Sequence, residues 1–142
     1  MKKEILKNNA SSGYEQTQVY TLVSVESDLK VCWIINSILG INLSLSEDVR
    51  LNLSKSTNSF KRFQYITEDE SEKYSLIVNR NQGNLLVPEL KKIDYLFIIQ
   101  TQNKLFSAGD KIPKIKEHQD INAFIGIHHN SIRSFSRLLM IL

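Results

Sequence analysis

From Asp94 to Thr101 the chain alternates Tyr95, Phe97 and Ile99 with Leu96 and Ile98, so both sides of an extended segment are apolar. A strand of that kind needs cover above and below, which places it in the interior of a sheet. Val19 to Val25 has the same character: Val19, Thr21, Val23 and Val25 fall on one side, Tyr20, Leu22 and Ser24 on the other. Its β-branched residues suit a second interior strand. Two such strands commit the chain to a sheet with a core, and the remaining segments are read as what surrounds it.

Ser27 or Asp28 can cap a helix by accepting a backbone N–H, and Gly40 can end it in a left-handed conformation, so Leu29 to Leu39 is predicted helical. Apolar residues at 29, 32, 33, 35, 38 and 39 define the stripe it is expected to bury. Ile41 to Leu45 and Val49 to Leu53 alternate with period two around Ser46-Glu47-Asp48, as one bulged strand or two short ones. Phe60 to Ile66 and Tyr74 to Asn79, joined by an acidic segment, suggest a hairpin, and Asn81-Gln82-Gly83-Asn84 is a turn signal. Asp110 can open a short helix to His118 with Pro113 in its first turn. Ile121 to Ile127 is the last strand. Ser131 is the expected cap of an amphipathic terminal helix with Ile132, Phe135, Leu138, Leu139 and Leu142 on one face. The expectation is an α+β domain at residues 19–142: a mostly antiparallel sheet, two helices on one face, the C-terminal amphipathic helix, and a ferredoxin-like or ACT-like arrangement. Residues 1–18, rich in Lys, Asn, Ser and Gln, are expected to form a mobile tail.

Just before the interior strand stands Val87-Pro88-Glu89-Leu90-Lys91-Lys92-Ile93-Asp94-Tyr95. An aliphatic-Pro-Glu, three free positions and an aliphatic-Asp-Tyr resemble the signature of the bacterial IPExxxVDY proteins, with Val87 and Ile93 as β-branched exchanges. The order of elements around it is similar too: an opening strand, a helix ending near Gly40, the motif, and a Lys111-Ile112-Pro113 segment before the last strand. The resemblance implies neither an enzyme activity nor a cofactor.

At 142 residues the length fits one domain, which buries about 70% of its unfolded surface. With 42% hydrophobic and 23% charged residues the composition is that of a globular protein. The apolar runs Val31 to Ile35 and Leu138 to Leu142 stop far short of the roughly 20 residues a membrane-spanning helix needs. Lys2 and Lys3 lead into no apolar stretch, so no secretory signal is read and a cytoplasmic location is expected. The single cysteine, Cys32, sits among apolar neighbours as a buried, unreactive thiol. The net charge of +3 permits contact with nucleic acid without arguing for it. Glu68, Asp69, Glu70 and Glu72 form an acidic cluster, whereas Arg133 and Arg137 face no acid in the sequence around them.

Glu89 and Asp94 could divide proton transfers between them as an acid/base pair, but each also has a structural reading: a carboxylate can cap backbone donors at the turn into the strand. Tyr95 is then expected to pack its ring and bond its hydroxyl to a buried partner. His118, His128 and His129 lack the spacing of a metal site, so no metal is expected. Five well-separated glycines provide no phosphate loop or dinucleotide fingerprint. Phe60, Lys61, Arg62, Phe63 and Tyr65 interleave rings with cations, the pattern that would let an exposed sheet stack RNA bases. The preferred expectation is a non-enzymatic binding module for an unknown protein or small molecule, with self-association through the terminal helix as one route. An RNA- or ribosome-associated protein and an enzyme using Glu89 and Asp94 are the alternatives.

Overall fold

A computed structural model describes residues 14–53, 56–102 and 108–142. Strand β1 (Gln16–Val23) takes in the last three residues, 16–18, of the stretch expected as a tail. Its start is polar, but backbone pairing needs no apolar side chain: Gln16 pairs with Thr101, and the Glu15 N–H donates to the Thr101 carbonyl at 3.0 Å. Residues 1–13 of the expected tail lie outside the described residues. Helix α1 (Asp28–Leu39) has the predicted ends. The Ser27 hydroxyl accepts the Lys30 N–H at 3.3 Å, and Gly40 closes the helix at φ 69°.

Short strands β2 (Ser44–Leu45) and β3 (Val49–Leu53) follow. Phe60 to Ile66, expected as one strand, is instead divided at Lys61 into the end of β4 (Ser56–Phe60) and β5 (Arg62–Ile66). β4 pairs with β3 as a separate hairpin, while β5 joins the main sheet beside β6 (Glu72–Val78). Glu68, Asp69 and Glu70 of the acidic cluster make the turn between β5 and β6, while Glu72 begins β6; Asp69 accepts from the Ser71 N–H and from the hydroxyls of Ser71 and Thr67. β7 (Arg80–Asn81) and β8 (Asn84–Leu85) form a small hairpin whose two turn residues, Gln82 and Gly83, have φ 51° and 84°.

The interior strand is β9 (Tyr95–Thr101), every residue of which is buried. A 3₁₀ segment, Gly109–Lys114, then leads to β10 (Ala123–Ile127). The short helix expected from Asp110 to about His118 is 3₁₀ and ends at Lys114. A 3₁₀ turn at His129–Ser131 precedes helix α2 (Phe135–Ile141). Ser131 is not the cap of α2, because its N–H and hydroxyl both go back to the His128 carbonyl.

The main sheet runs β10-β1-β9-β6-β5-β2, all antiparallel. On one side Tyr95, Phe97, Ile99, Leu22 and Leu76 meet α1 and the 3₁₀ segment. On the other, Leu96, Ile98, Val19 and Ile77 meet Phe135 and Leu138 of α2, Phe60 of β4, and Leu86 and Val87. α1 and the 3₁₀ segment therefore share one face of the sheet, and the C-terminal helix α2 covers the other. A strand apolar on both sides requires this, since a bare face over Leu96 and Ile98 would leave about 1.5 to 3 kcal/mol per large side chain unrealised.

The buried face of α1 also differs from the predicted stripe. Val31, Cys32, Ile34, Ile35 and Leu39 are buried, whereas Leu29 and Trp33 are 69% and 60% exposed. At 100° per residue, positions 31, 34, 35, 38 and 39 make one continuous aliphatic strip, while the side holding 29 and 33 also holds Lys30 and Ser37. The sheet takes the wider strip.

Candidate functional site

The motif is a pair of tight turns laid between β8 and β9. Leu90 donates to the Val87 carbonyl at 3.0 Å and Ile93 to the Leu90 carbonyl at 3.2 Å, which leaves inward-facing backbone groups to be satisfied from elsewhere. Asn79, fully buried at the end of β6, satisfies them. Its Oδ1 accepts the Val87 N–H at 3.0 Å, and its Nδ2 donates to the carbonyls of Leu90 at 3.0 Å and Ile93 at 2.9 Å. Its own backbone N–H donates to Asp94 and its carbonyl accepts from Leu86. One side chain with an acceptor and two donors fits this turn, and no other residue type of its size offers both. The motif's aliphatic positions supply the apolar anchor: Val87 is buried, and Ile93 and Leu90 pack beside it. Pro88 is exposed at the first turn.

Asp94 looks away from the turn. Its Oδ2 accepts the Ser24 N–H at 3.1 Å and its Oδ1 lies 3.3 Å from the Arg80 guanidinium, while its own N–H donates to Leu22. Arg80 also donates to the Lys91 carbonyl, so it clips the motif from outside. The Tyr95 hydroxyl donates to the Glu26 carbonyl at 2.7 Å. Burial, and then the negative charges of Asp28, Asp94 and Glu26, push its pKa up to about 12. Asp94 and Tyr95 together fasten the connection between β1 and α1 to the entry of β9.

Glu89 reaches in another direction. Its carboxylate accepts the Ser134 hydroxyl at 2.7 Å and the Ser134 N–H at 3.3 Å, at the start of α2. Ser134, and more weakly the nearby Arg133, hold this carboxyl below the usual range. Arg133 therefore has an acid beside it after all, one 44 residues away in the chain. The carboxylate expected to stabilise its own turn also reaches the start of a helix distant in sequence. Glu89 and Asp94 serve different elements, and no contact joins them to a shared atom.

Beside the motif a polar depression of about 300 Å³ is lined by Asp28, Asp48, Ser59, Lys61, Arg80 and Asn81. Its two cations are already matched: Lys61 lies 3.5 Å from Asp28, and Arg80 pairs with Asp94. Such half-exposed pairs contribute about 0 to 1 kcal/mol each and leave the depression close to neutral.

The other sequence candidates are dispersed. Cys32 is buried, its thiol 3.5 Å from the Leu43 carbonyl, and burial raises its pKa away from the reactive thiolate. His118 Nδ1 accepts the Asp120 N–H at 3.1 Å. The His129 side chain lies outside the described residues. Among the described residues no three His, Cys, Asp or Glu gather as metal ligands. Phe60 and Phe63 are buried on opposite sides of the sheet, and Tyr65 is partly covered. Two residues escaped the sequence reading: Asn79 and Ser134. A lone Asn at a strand end and a Ser inside a Ser-rich stretch carry no local pattern that singles them out. Among the described residues no helix is long and apolar enough to cross a membrane. Comparison with protein-family models, curated proteins and solved structures returns no match.

Proposed function

We propose that this protein is a small, non-enzymatic interaction module of the IPExxxVDY type, in which the motif fastens the fold and the outer face of α1 is the contact surface. The observation that carries this reading is an apolar patch left in water: Leu29 and Trp33, one turn apart on α1, are 69% and 60% exposed, and Val25 in the bend before the helix is 90% exposed. Meanwhile Glu89, Asp94, Tyr95 and Asn79 are each bonded inside the molecule, which leaves the motif little with which to hold a ligand.

The occupant that suits the patch is an amphipathic helix of another protein with acidic residues at its flank. Lys30 stands 5.9 Å over the Trp33 ring and 3.8 Å from Asp120, and Lys111 reaches the Gly40 end of α1, so cations flank the Trp33 side of the apolar patch. An exposed Trp on such a patch is the residue type that most often dominates binding energy. The order β10-β1-β9-β6 with α1 after β1 supports a ferredoxin-like reading of the scaffold, one that hosts many functions and assigns none. The buried, unpaired Cys32 suits a reducing, cytoplasmic setting.

Trp33 is the only tryptophan, so its emission reports docking directly. A partner captured by photocrosslinking at position 29 should shift that emission to the blue, and Leu29→Ser with Trp33→Ser should lose the same partner while Asp94→Asn keeps it below its melting range. A partner retained by the surface variant, or lost by the folded Asp94→Asn protein, overturns the assignment and makes the motif the working site. RNA captured in place of protein, and released by salt, would favour the nucleic-acid reading instead.

A further inference from the structure

The two edges of the main sheet are treated differently. β2 at one edge is two residues long, which gives a neighbouring chain little to pair with. β10 at the other edge is a five-residue strand, Ala123-Phe124-Ile125-Gly126-Ile127, with no charge and no proline, and among the described residues nothing pairs with its outer side. Ile125 at its centre is 59% exposed. Proteins ordinarily protect such an edge with a lysine, a proline, a bulge or a covering loop. An unprotected apolar edge is a pairing surface, and its own sequence indicates the partner.

An antiparallel copy of β10 centred on Ile125 sets Ala123 opposite Ile127, Phe124 opposite Gly126, and Ile125 opposite itself. Small residues then meet large ones at the flanking steps, the two copies of Ile125 lie side by side on the axis, and just beyond the strand Asn122 meets His128 with no like charges opposed. An aromatic residue opposite Gly126 is a pairing already made within the chain. Tyr20 pairs with Gly126 across β1 and β10, and a Cβ at position 126 would stand 3.3 Å from the Tyr20 ring. Phe124 stacks on that ring, with centroids 4.8 Å apart. A bare glycine beside an aromatic shelf is thus a settled arrangement on one side of β10 and is available on the other.

We propose that β10 is a self-association edge, through which two copies of this chain pair antiparallel about a two-fold axis at Ile125 and join their sheets into one. The palindromic match of sizes is what an isologous interface requires, because each side must complement itself. Unlike the α1 contact surface, this edge makes its hydrogen bonds with backbone groups, and its side chains set only the register.

Sedimentation velocity on the full chain over a dilution series tests it. The wild-type protein should sediment as a dimer that dissociates on dilution. Ile125→Lys and Ile125→Glu should each weaken the dimer at least about tenfold, since like charges would meet across the axis, and the equimolar mixture of the two should recover it. That recovery also excludes misfolding as the cause of the loss. A wild-type chain that stays monomeric up to its solubility limit overturns the proposal. So does a dimer that survives both charge variants, or one abolished by Leu29→Ser with Trp33→Ser.

Discussion

The Asp94 carboxylate accepts the backbone N–H of Ser24 at 3.1 Å, joining two residues 70 positions apart in the chain. The bond closes the corner where β1 ends and α1 is about to begin, and Arg80 on the other oxygen ties the same carboxylate to β7, two residues past the end of β6. Three elements thus meet at one side chain. Asp94→Asn keeps an acceptor for Ser24 but removes the charge facing Arg80, and should cost about 1 to 2 kcal/mol. A urea series on this variant, Arg80→Ala and the double variant should show a coupling of about 0.5 to 1 kcal/mol, because the pair is half exposed.

Asn79 should matter more than any residue of the motif it serves. Asn79→Ala strands the Val87 N–H and the Leu90 and Ile93 carbonyls in a buried site, at an expected cost of roughly 2 to 4 kcal/mol. Asn79→Asp keeps the acceptor but loses both donors and should be at least as damaging. Denaturant midpoints equal to wild type for both would show that the motif turn is held some other way.

Tyr95 makes the fold sensitive to alkali. Its pKa is raised above the unfolded value of about 10, so its contribution is complete below pH 10 and is lost as pH rises toward 12, where only the unfolded chain has ionised freely. Tyr95→Phe should lower stability at neutral pH through loss of the bond to Glu26, yet flatten the decline between pH 10 and 12 relative to wild type. Thermal midpoints across that range compare the two directly.

Glu89 acts at the acid end. Bonded to Ser134, its carboxyl is held below the usual range, so it stabilises the docked α2 above the ordinary carboxylate pKa and ceases to as pH falls through the lowered one. Glu89→Gln and Ser134→Ala should each loosen α2 by up to about 1 kcal/mol at neutral pH, and should have little effect once wild-type Glu89 is protonated. Hydrogen exchange in Phe135–Ile141 is the readout.

The β7-β8 turn offers a gain. Both of its central residues have positive φ, a geometry that Asn-Gly adopts more readily than Gln-Gly. Gln82→Asn should raise stability by roughly 0.5 kcal/mol. Gly83→Ala should lower it by about 1 kcal/mol through backbone strain alone, since nothing lies within 4 Å of the new Cβ.

The sequence by itself determined what depends on a few neighbouring residues. Ser27 and Gly40 mark the ends of α1, the alternation from Tyr95 to Ile99 marks the interior strand, and Gln82-Gly83 marks a turn, because capping, period-two burial and left-handed backbone are local properties. Val87, Glu89, Asp94 and Tyr95 stand out as a unit in the sequence only through their resemblance to a family signature. Their partners do not. Asn79 meets the motif only once β6 lies beside β9, Ser24 meets Asp94 only across the β1 corner, and Ser134 reaches Glu89 only after α2 packs over Leu96 and Ile98. The face on which each helix settled, the division of Phe60 from Phe63 at Lys61, and the exposure of Trp33 were likewise decided by tertiary structure. Each depends on which of several apolar surfaces finds the larger partner, and that competition takes place between segments far apart in the chain.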